Sequence, residues 1–337
     1  MNQPEVSLVV TSISSPNDVL KSLAQGCVQH GMSFYVIGDV PSPSEFHLDG
    51  CRYLSLSAQA ETGFQTASKV PQRHYARKNI GYLLAIQQGV KIIIETDDDN
   101  FPLETFWQRH QVRQTVPTTS DKGWLNVYRY FSDAHIWPRG LPLDAIHQPL
   151  ADFESLPSLS VECPFQQGLA DENPDVDAIY RLLLPLPIHF RQDRRIALSN
   201  GVWCPFNSQN TTWFRGAFPL LYLPSYCSFR MTDIWRSFIA QRIGWECNWN
   251  VLFHEPTVYQ QRNEHSLMKD FEDEVPGYLQ NRRICDLLAN LSLKAGTQNL
   301  TANLHVCYEE LVSKAIFPAR EMELVEAWIS DLEAVLS

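Results

Sequence analysis

Lys91-Ile92-Ile93-Ile94-Glu95-Thr96-Asp97-Asp98-Asp99-Asn100 decides the fold. Three isoleucines in succession suit a strand covered on both faces, as strands inside a parallel sheet are. The strand runs directly into three adjacent carboxylates. Like charges at that spacing repel, so the cluster belongs in water or beside a cation. At the carboxyl end of a parallel strand, where open α/β sheets bind ligands, a divalent ion is the natural cation. An acidic solvated turn after a strand is the plainer alternative.

Working outward from this strand, the first half of the chain alternates strand and helix signals. Residues 6–11 and 34–37 read as strands, and 16–30 and 77–89 as helices, the latter with Ile80, Leu83 and Leu84 at helical spacing and Gly89 as its stop. This order predicts an α/β fold with a mostly parallel, Rossmann-like sheet and flanking helices. Residues 117–175 are rich in Pro, Ser and aromatic side chains and read as long loops with short strands. Helices are expected from Pro174 or Asp175 and from Thr232, and a strand over 257–261. After residue 276 only helical periodicity remains, over 281–293, 300–316 and 319–336. The expected division is therefore a ligand-binding domain over 1–275 and a helical extension over 276–337.

Composition narrows the class. With 337 residues, 44% hydrophobic and 19% charged, the chain is an ordinary globular protein able to bury a core. A net charge of −11 argues against nucleic acid as a partner. The eight cysteines form no Cys-x-x-Cys pair, which fits neither the usual zinc patterns nor a disulfide framework. No signal peptide and no transmembrane segment is read, so the expectation is a cytoplasmic protein, with peripheral attachment to a membrane left open. Oligomeric state is not legible.

Several segments could carry chemistry. Asp97 or Asp99 could hold a metal that bridges the phosphates of a nucleotide sugar, with Asp97 or Asp98 contacting ribose or sugar. Arg77, Lys78 and Asn79 open a helix, where cations and free N–H groups suit a phosphate or a hydroxyl; surface charge is the alternative. Thr11-Ser12 and Gly38-Asp39 follow strands on the same edge and could hold base and ribose, or be ordinary turns. Asp233 could be a general base, though spacing favours a helix-start carboxylate paired with Arg236. Asp175 and Asp177 pose the same choice at another helix start. Arg262 could hold a phosphate and His265 supply a third metal ligand; for the histidine, a solvated loop is the default. No Gly-rich phosphate loop and no Gly-x-Ser-x-Gly elbow is present.

Taken together, Arg77-Lys-Asn-Ile-Gly-Tyr-Leu-Leu-Ala-Ile-Gln-Gln-Gly89, the Asp97-Asp98-Asp99 cluster, Ile136-Trp-Pro-Arg-Gly-Leu-Pro142, Gln167-Gly-Leu-Ala-Asp171, the run from Pro174 to Leu182, Phe206-Asn-Ser-Gln-Asn-Thr211 and the run from Phe229 to Arg242 resemble the STELLO glycosyltransferase-like family. More distantly they are similar to the reversibly glycosylated polypeptides, which are UDP-arabinopyranose mutases. The resemblance spans roughly residues 5–280. It implies a GT-A-type fold with an Asp-x-Asp site for Mn²⁺ or Mg²⁺, a nucleoside-diphosphate sugar donor (a UDP-sugar first) and a carbohydrate or other hydroxyl acceptor. It places Asp233 at the acceptor-side helix start where inverting enzymes often carry the base, and makes His265 the candidate to complete the metal site. STELLO proteins are membrane-anchored in the Golgi; no anchor is read in this sequence, so location does not carry over. Arg139 lies in a Pro-Arg-Gly-x-Pro segment similar to the one where the mutases carry a covalently attached sugar; packing or ion pairing is its plainer role. The resemblance implies a metal-dependent glycosyltransferase, with a nucleotide-sugar mutase or a non-catalytic scaffold as alternatives.

Overall fold

In the computed structural model, which describes residues 4–108, 111–262 and 266–336, the triple isoleucine is a strand buried on both sides. Ile93 packs into one hydrophobic cluster and Ile94 into another across the sheet. In chain order the first half comprises β1 (Val6–Thr11), α1 (Asp18–Gln29), β2 (Ser33–Ile37), β3 (Arg52–Leu54), the short helices α2 (Leu56–Ala60) and α3 (Gln65–Lys69), α4 (Lys78–Gln87), β4 (Ile92–Thr96) and β5 (Asn100–Pro102). There follow β6 (Arg113–Thr119), β7 (Gly123–Trp124), β8 (Ser158–Asp171), α5 (Ala178–Leu183), β9 (Arg195–Leu198), β10 (Val202–Trp203) and β11 (Asn210–Phe214). The chain continues with α6 (Thr232–Trp245), β12 (Trp249–Gln260), α7 (Leu267–Ala289), α8 (Leu300–Ser313) and α9 (Glu321–Leu336).

The first four strands of the main sheet run β3-β2-β1-β4, each parallel to its neighbours. α1 covers one face through Leu20 and Leu23, and α4 covers the other through Ile80 and Leu83. The chain leaves β1 towards β2 and later returns on its other side as β4. The crevice beyond the carboxyl ends of β1 and β4 is thus a topological switch point, where such sheets bind ligands. Gly81 lets α4 lie close, because a Cβ there would come within 2.5 Å of Val9 Cγ1.

Beyond β4 the sheet changes character, and the expectation of a mostly parallel sheet is corrected. β11 lies antiparallel between β4 and β8. β8 also pairs with β6 and β12, and β9 bridges β6 and β12, so four strands close on themselves. The segment 117–175, expected as loops, contains in β8 a strand of 14 residues. Its signal was hidden by buried glutamines. Gln166 and Gln167 are 1% and 3% exposed, and their amides bond the carbonyls of Cys163 and Asn210. Polar residues that are satisfied internally break the apolar alternation that marks a strand.

The C-terminal helices pack onto this body. α7 starts at Leu267 and runs through Pro276, so the change of composition at 276 is not a helix boundary. The Asp331 carboxylate of α9 accepts the first N–H groups of α3, from Gln65 at 2.9 Å and Thr66 at 2.7 Å. Trp328, fully buried, donates to Pro219 O. Among the described residues no helix is long and apolar enough to cross a membrane.

Candidate functional site

The carboxyl ends of β1, β2 and β4 open on a cavity with two compartments. The larger, of about 540 Å³, is lined by Asp97, Asp98, Asp99, Arg139, Asp233 and Arg262 among others. The smaller, of about 250 Å³, is lined by Ser12, Gly38, Asp39, His74 and Arg77 among others. Thr11, Ile13, Tyr75, Asp98 and Phe229 border both. The acidic triplet therefore faces a cavity and not a convex surface.

Each carboxylate of the triplet has its own setting. Asp98 accepts the Ser12 hydroxyl at 2.5 Å, and its carbonyl accepts the Asn17 amide at 2.8 Å. Asn17 also caps α1, so one residue fixes both the helix start and the triplet. Asp99 takes the Gln260 amide on both oxygens at 3.1 Å. Asp97 meets the Lys78 ammonium at 3.1 Å, with its side chain 39% exposed. It lies on the cavity floor, wetted from one side yet enclosed by protein. That enclosure raises its carboxyl to about 7; the nearby Asp99 charge adds to the rise, and Lys78 opposes it.

The opposite wall is a charge network. The Arg139 guanidinium donates to Asp175 through Nε at 2.7 Å and Nη2 at 2.9 Å, and to Asp233 through Nη1 at 3.0 Å and Nη2 at 2.9 Å. Arg230 O also accepts from it. Asp233 further accepts the Ser208 N–H at 3.1 Å, and its own N–H donates to the Tyr75 hydroxyl at 3.1 Å. Burial would raise the Asp233 carboxyl. The charge and hydrogen bonds of Arg139, with the Arg236 charge and the Ser208 N–H, outweigh burial and bring it to about 2.

Several sequence-based placements need correcting. Lys78 does not present its ammonium at an open helix start. Its side chain is fully buried and donates to Thr96 O, Asp97 Oδ1 and Ser208 O. Asn79 does not reach the cavity; both ends of its amide are committed to the backbone of Leu223 at 2.9 Å. Arg77 borders the smaller compartment, but its guanidinium holds Gln59 Oε1 and Val70 O. Asp177 is the buried cap of α5, accepting Tyr180 N–H and Trp137 Nε1–H at 2.7 Å. The Asp175 carboxylate is not among the groups lining the cavity; it accepts from Arg139 and Asn207 behind the wall. Arg236 is not the partner of Asp233 but of Glu95. Arg262 lines the larger compartment and pairs with Asp270 at 2.6 Å. His265 lies outside the described residues.

The structure adds Tyr75, Ser208, Phe229, Arg230 and Gln260 to the cavity wall. Arg230 and Phe229 adjoin Asp233 in sequence and could have been noted. Gln260 comes to Asp99 only because β12 pairs with β5, Gln260 opposite Asn100, which local signals do not reveal.

The donor set suits a hard divalent cation. Asp97 and Asp99 offer carboxylate oxygens in one cavity, the kind of donor such ions take. Among the described residues no third His, Cys, Asp or Glu completes a ligand cluster.

Comparison with known proteins agrees with the resemblance read from the sequence. Residues 230–336 match the family model described as STELLO glycosyltransferases. The chain is 29% identical over 353 residues to the probable glycosyltransferase STELLO1 of Arabidopsis thaliana, covering 99% of this chain and 45% of that protein. It is 27% identical over 344 residues to STELLO2 of the same plant, covering 96% and 44%. The chain thus spans less than half the length of these curated relatives. A solved mycobacterial protein aligns over 94% of this chain and 76% of its own at 11% identity, with a TM-score of 0.40, a likeness too slight to argue from.

Proposed function

We propose, from the premise that this chain is a relative of the STELLO glycosyltransferases, that its cavity transfers a sugar from a nucleoside-diphosphate donor, foremost a UDP-sugar, to a hydroxyl of a carbohydrate or similar acceptor. The observation that carries the reading is the convergence of Asp97, Asp98 and Asp99 with Asp233 across one cavity at the β1/β4 switch point. The parallel β3-β2-β1-β4 order and the acidic turn at its edge support a GT-A-type assignment. Asp97 and Asp99 would hold Mn²⁺ or Mg²⁺, which would offset the charge of the departing diphosphate. The smaller compartment, with Asp39 and Ser12, would take the nucleoside, and the larger one the donor sugar and the acceptor. Arg262, which lines the larger compartment and pairs with Asp270, would meet a donor phosphate.

Asp233 would hold the acceptor hydroxyl. A carboxyl near 2 is a weak base, so the hydroxyl proton passes to Asp233 late, once bond formation to the anomeric carbon has made it acidic. Asp233→Asn keeps the size of the side chain, and Asp175 still balances the Arg139 charge, but the new NH2 group faces N–H donors of Arg139 and of Ser208 or Ile234, so a melting curve is taken beside the assay. The expected result is a loss of transfer of about a hundredfold or more with donor affinity unchanged by calorimetry. Transfer at the wild-type rate would remove Asp233 from the chemistry.

A cation arriving at Asp97 displaces a proton. Divalent affinity is therefore expected to fall about tenfold per unit as pH drops below about 7, and to be flat above it. Calorimetric titration with Mn²⁺ at several pH values measures this; a flat response from pH 5 to 8 would exclude Asp97 as a ligand.

The mutase alternative is disfavoured by one observation. A sugar-carrying Arg139 must first lose its proton, yet every nitrogen of its guanidinium donates to Asp175, Asp233 or Arg230 O. Burial alone would ease that loss, but the two carboxylates override it and raise its proton affinity.

A further inference from the structure

Among the described residues three guanidiniums line the larger compartment, and they differ in what they have left to give. Every nitrogen of Arg139 donates to Asp175, Asp233 or Arg230 O. Arg230 donates only through Nε and Nη2, both to Glu274 Oε1, at 3.0 and 2.8 Å. Arg262 donates through Nη2 to Asp270 at 2.6 Å. A guanidinium carries five N–H groups, so these two keep donors that no described group accepts. Their side chains retain 19% and 12% exposure, so part of each faces the compartment it lines.

The two are braced side by side. Asp270 and Glu274 stand four residues apart on α7, which sets them on one face of the helix with about 6 Å between their Cβ atoms. Both acids are buried. Glu274 also accepts the Ala178 N–H at 2.7 Å and the Tyr278 hydroxyl at 2.6 Å, so its charge is shared and leaves Arg230 incompletely neutralised. Arg181 shows that the two cations converge. Burial, then the charges of Arg262 and Arg230, lowers its pKa to about 10 against the pull of Asp175 and Asp270.

Two planar forks held in register match an oxyanion that offers several oxygens at once. Neither arginine borders the smaller compartment, so that oxyanion lies outside the one assigned to the nucleoside. We propose that Arg230 and Arg262 form a single phosphate site, braced by Glu274 and Asp270, that holds the terminal phosphate of the donor without needing a divalent ion. The acidic triplet lines the same compartment and repels that phosphate until a cation covers it. The ion therefore adds affinity to a site the arginines already supply. The inference rests on the nucleotide-sugar reading above.

The test is calorimetry on the whole chain with two probes: inorganic pyrophosphate in the presence of a chelator, and UDP with Mn²⁺. Two double variants, Arg230→Gln with Glu274→Gln and Arg262→Gln with Asp270→Asn, leave the net charge unchanged and strand no buried ion. Arg230→Lys, which keeps a cation against Glu274 but loses the fork, stands in where a double variant melts early. Pyrophosphate is expected to bind the wild type without a divalent ion, and to bind each double variant about tenfold more weakly or less. UDP with Mn²⁺ should lose about tenfold in the same variants, and Arg230→Lys should show the loss in both probes at an unchanged melting temperature. Pyrophosphate that binds only with Mn²⁺, or equally well to variants that melt as the wild type does, overturns the proposal. If UDP still binds with Mn²⁺ in that case, the donor reading stands without it. Arginine-dependent pyrophosphate binding by a chain that ignores UDP keeps the phosphate site and removes the donor reading.

Discussion

Asp99→Asn is expected to weaken Mn²⁺-dependent nucleotide binding by at least about a hundredfold. Changes to groups that only support a metal ligand already cost about 10- to 100-fold, so loss of a ligand charge should reach that bound. Asparagine keeps the shape of the side chain and can still accept the Gln260 amide. The fold should not suffer. Asp99 raises the proton affinity of Asp97, so removing its charge relieves repulsion in the empty cavity. Calorimetry with UDP and Mn²⁺, beside a melting curve without either, separates the two effects. Unchanged metal-dependent binding would take Asp99 out of the site; a collapse of the melting temperature would make it structural.

What could be seen in the sequence was local. The buried strand, the carboxylates at its end, and the helices α1, α4 and α6 each rest on signals within about 15 residues. The same signals misled at the start of α4. A helix beginning Arg-Lys-Asn suggests an anion site, yet Lys78 turns inward under Asp97 and Asn79 is held by Leu223, 144 residues away. Arg139, Asp175 and Asp233 each stand out in the sequence, but their junction depends on loops whose return paths no periodicity encodes. Glu95 was hidden by its own context, a lone acid after three isoleucines. Its partner is 141 residues further on.

That partner is the basis of the second large effect. Glu95 and Arg236 are 0% and 1% exposed and meet through two bonds of 2.7 and 2.9 Å. Trp213 Nε1–H and the Tyr82 hydroxyl also donate to Glu95, and Arg236 lies over the Trp213 ring at 5.0 Å. β4 leads into the acidic triplet and α6 carries Asp233 in its first turn, so this pair ties the two walls of the cavity together. Glu95→Ala strands a buried guanidinium and should cost about 3–5 kcal/mol in urea unfolding. The double variant Glu95→Leu with Arg236→Met should regain part of this, since apolar replacement of a buried ion pair is often tolerated. Recovery should be incomplete, because Tyr82 and Trp213 lose their acceptor. Loss of the Arg236 charge, which helps hold Asp233 ionised, should at the same time make that carboxylate more basic. A Glu95→Ala chain as stable as the wild type would mean that the two walls are held by packing alone. A double variant that recovers the full wild-type stability would show that the buried ion pair adds nothing that apolar packing cannot supply.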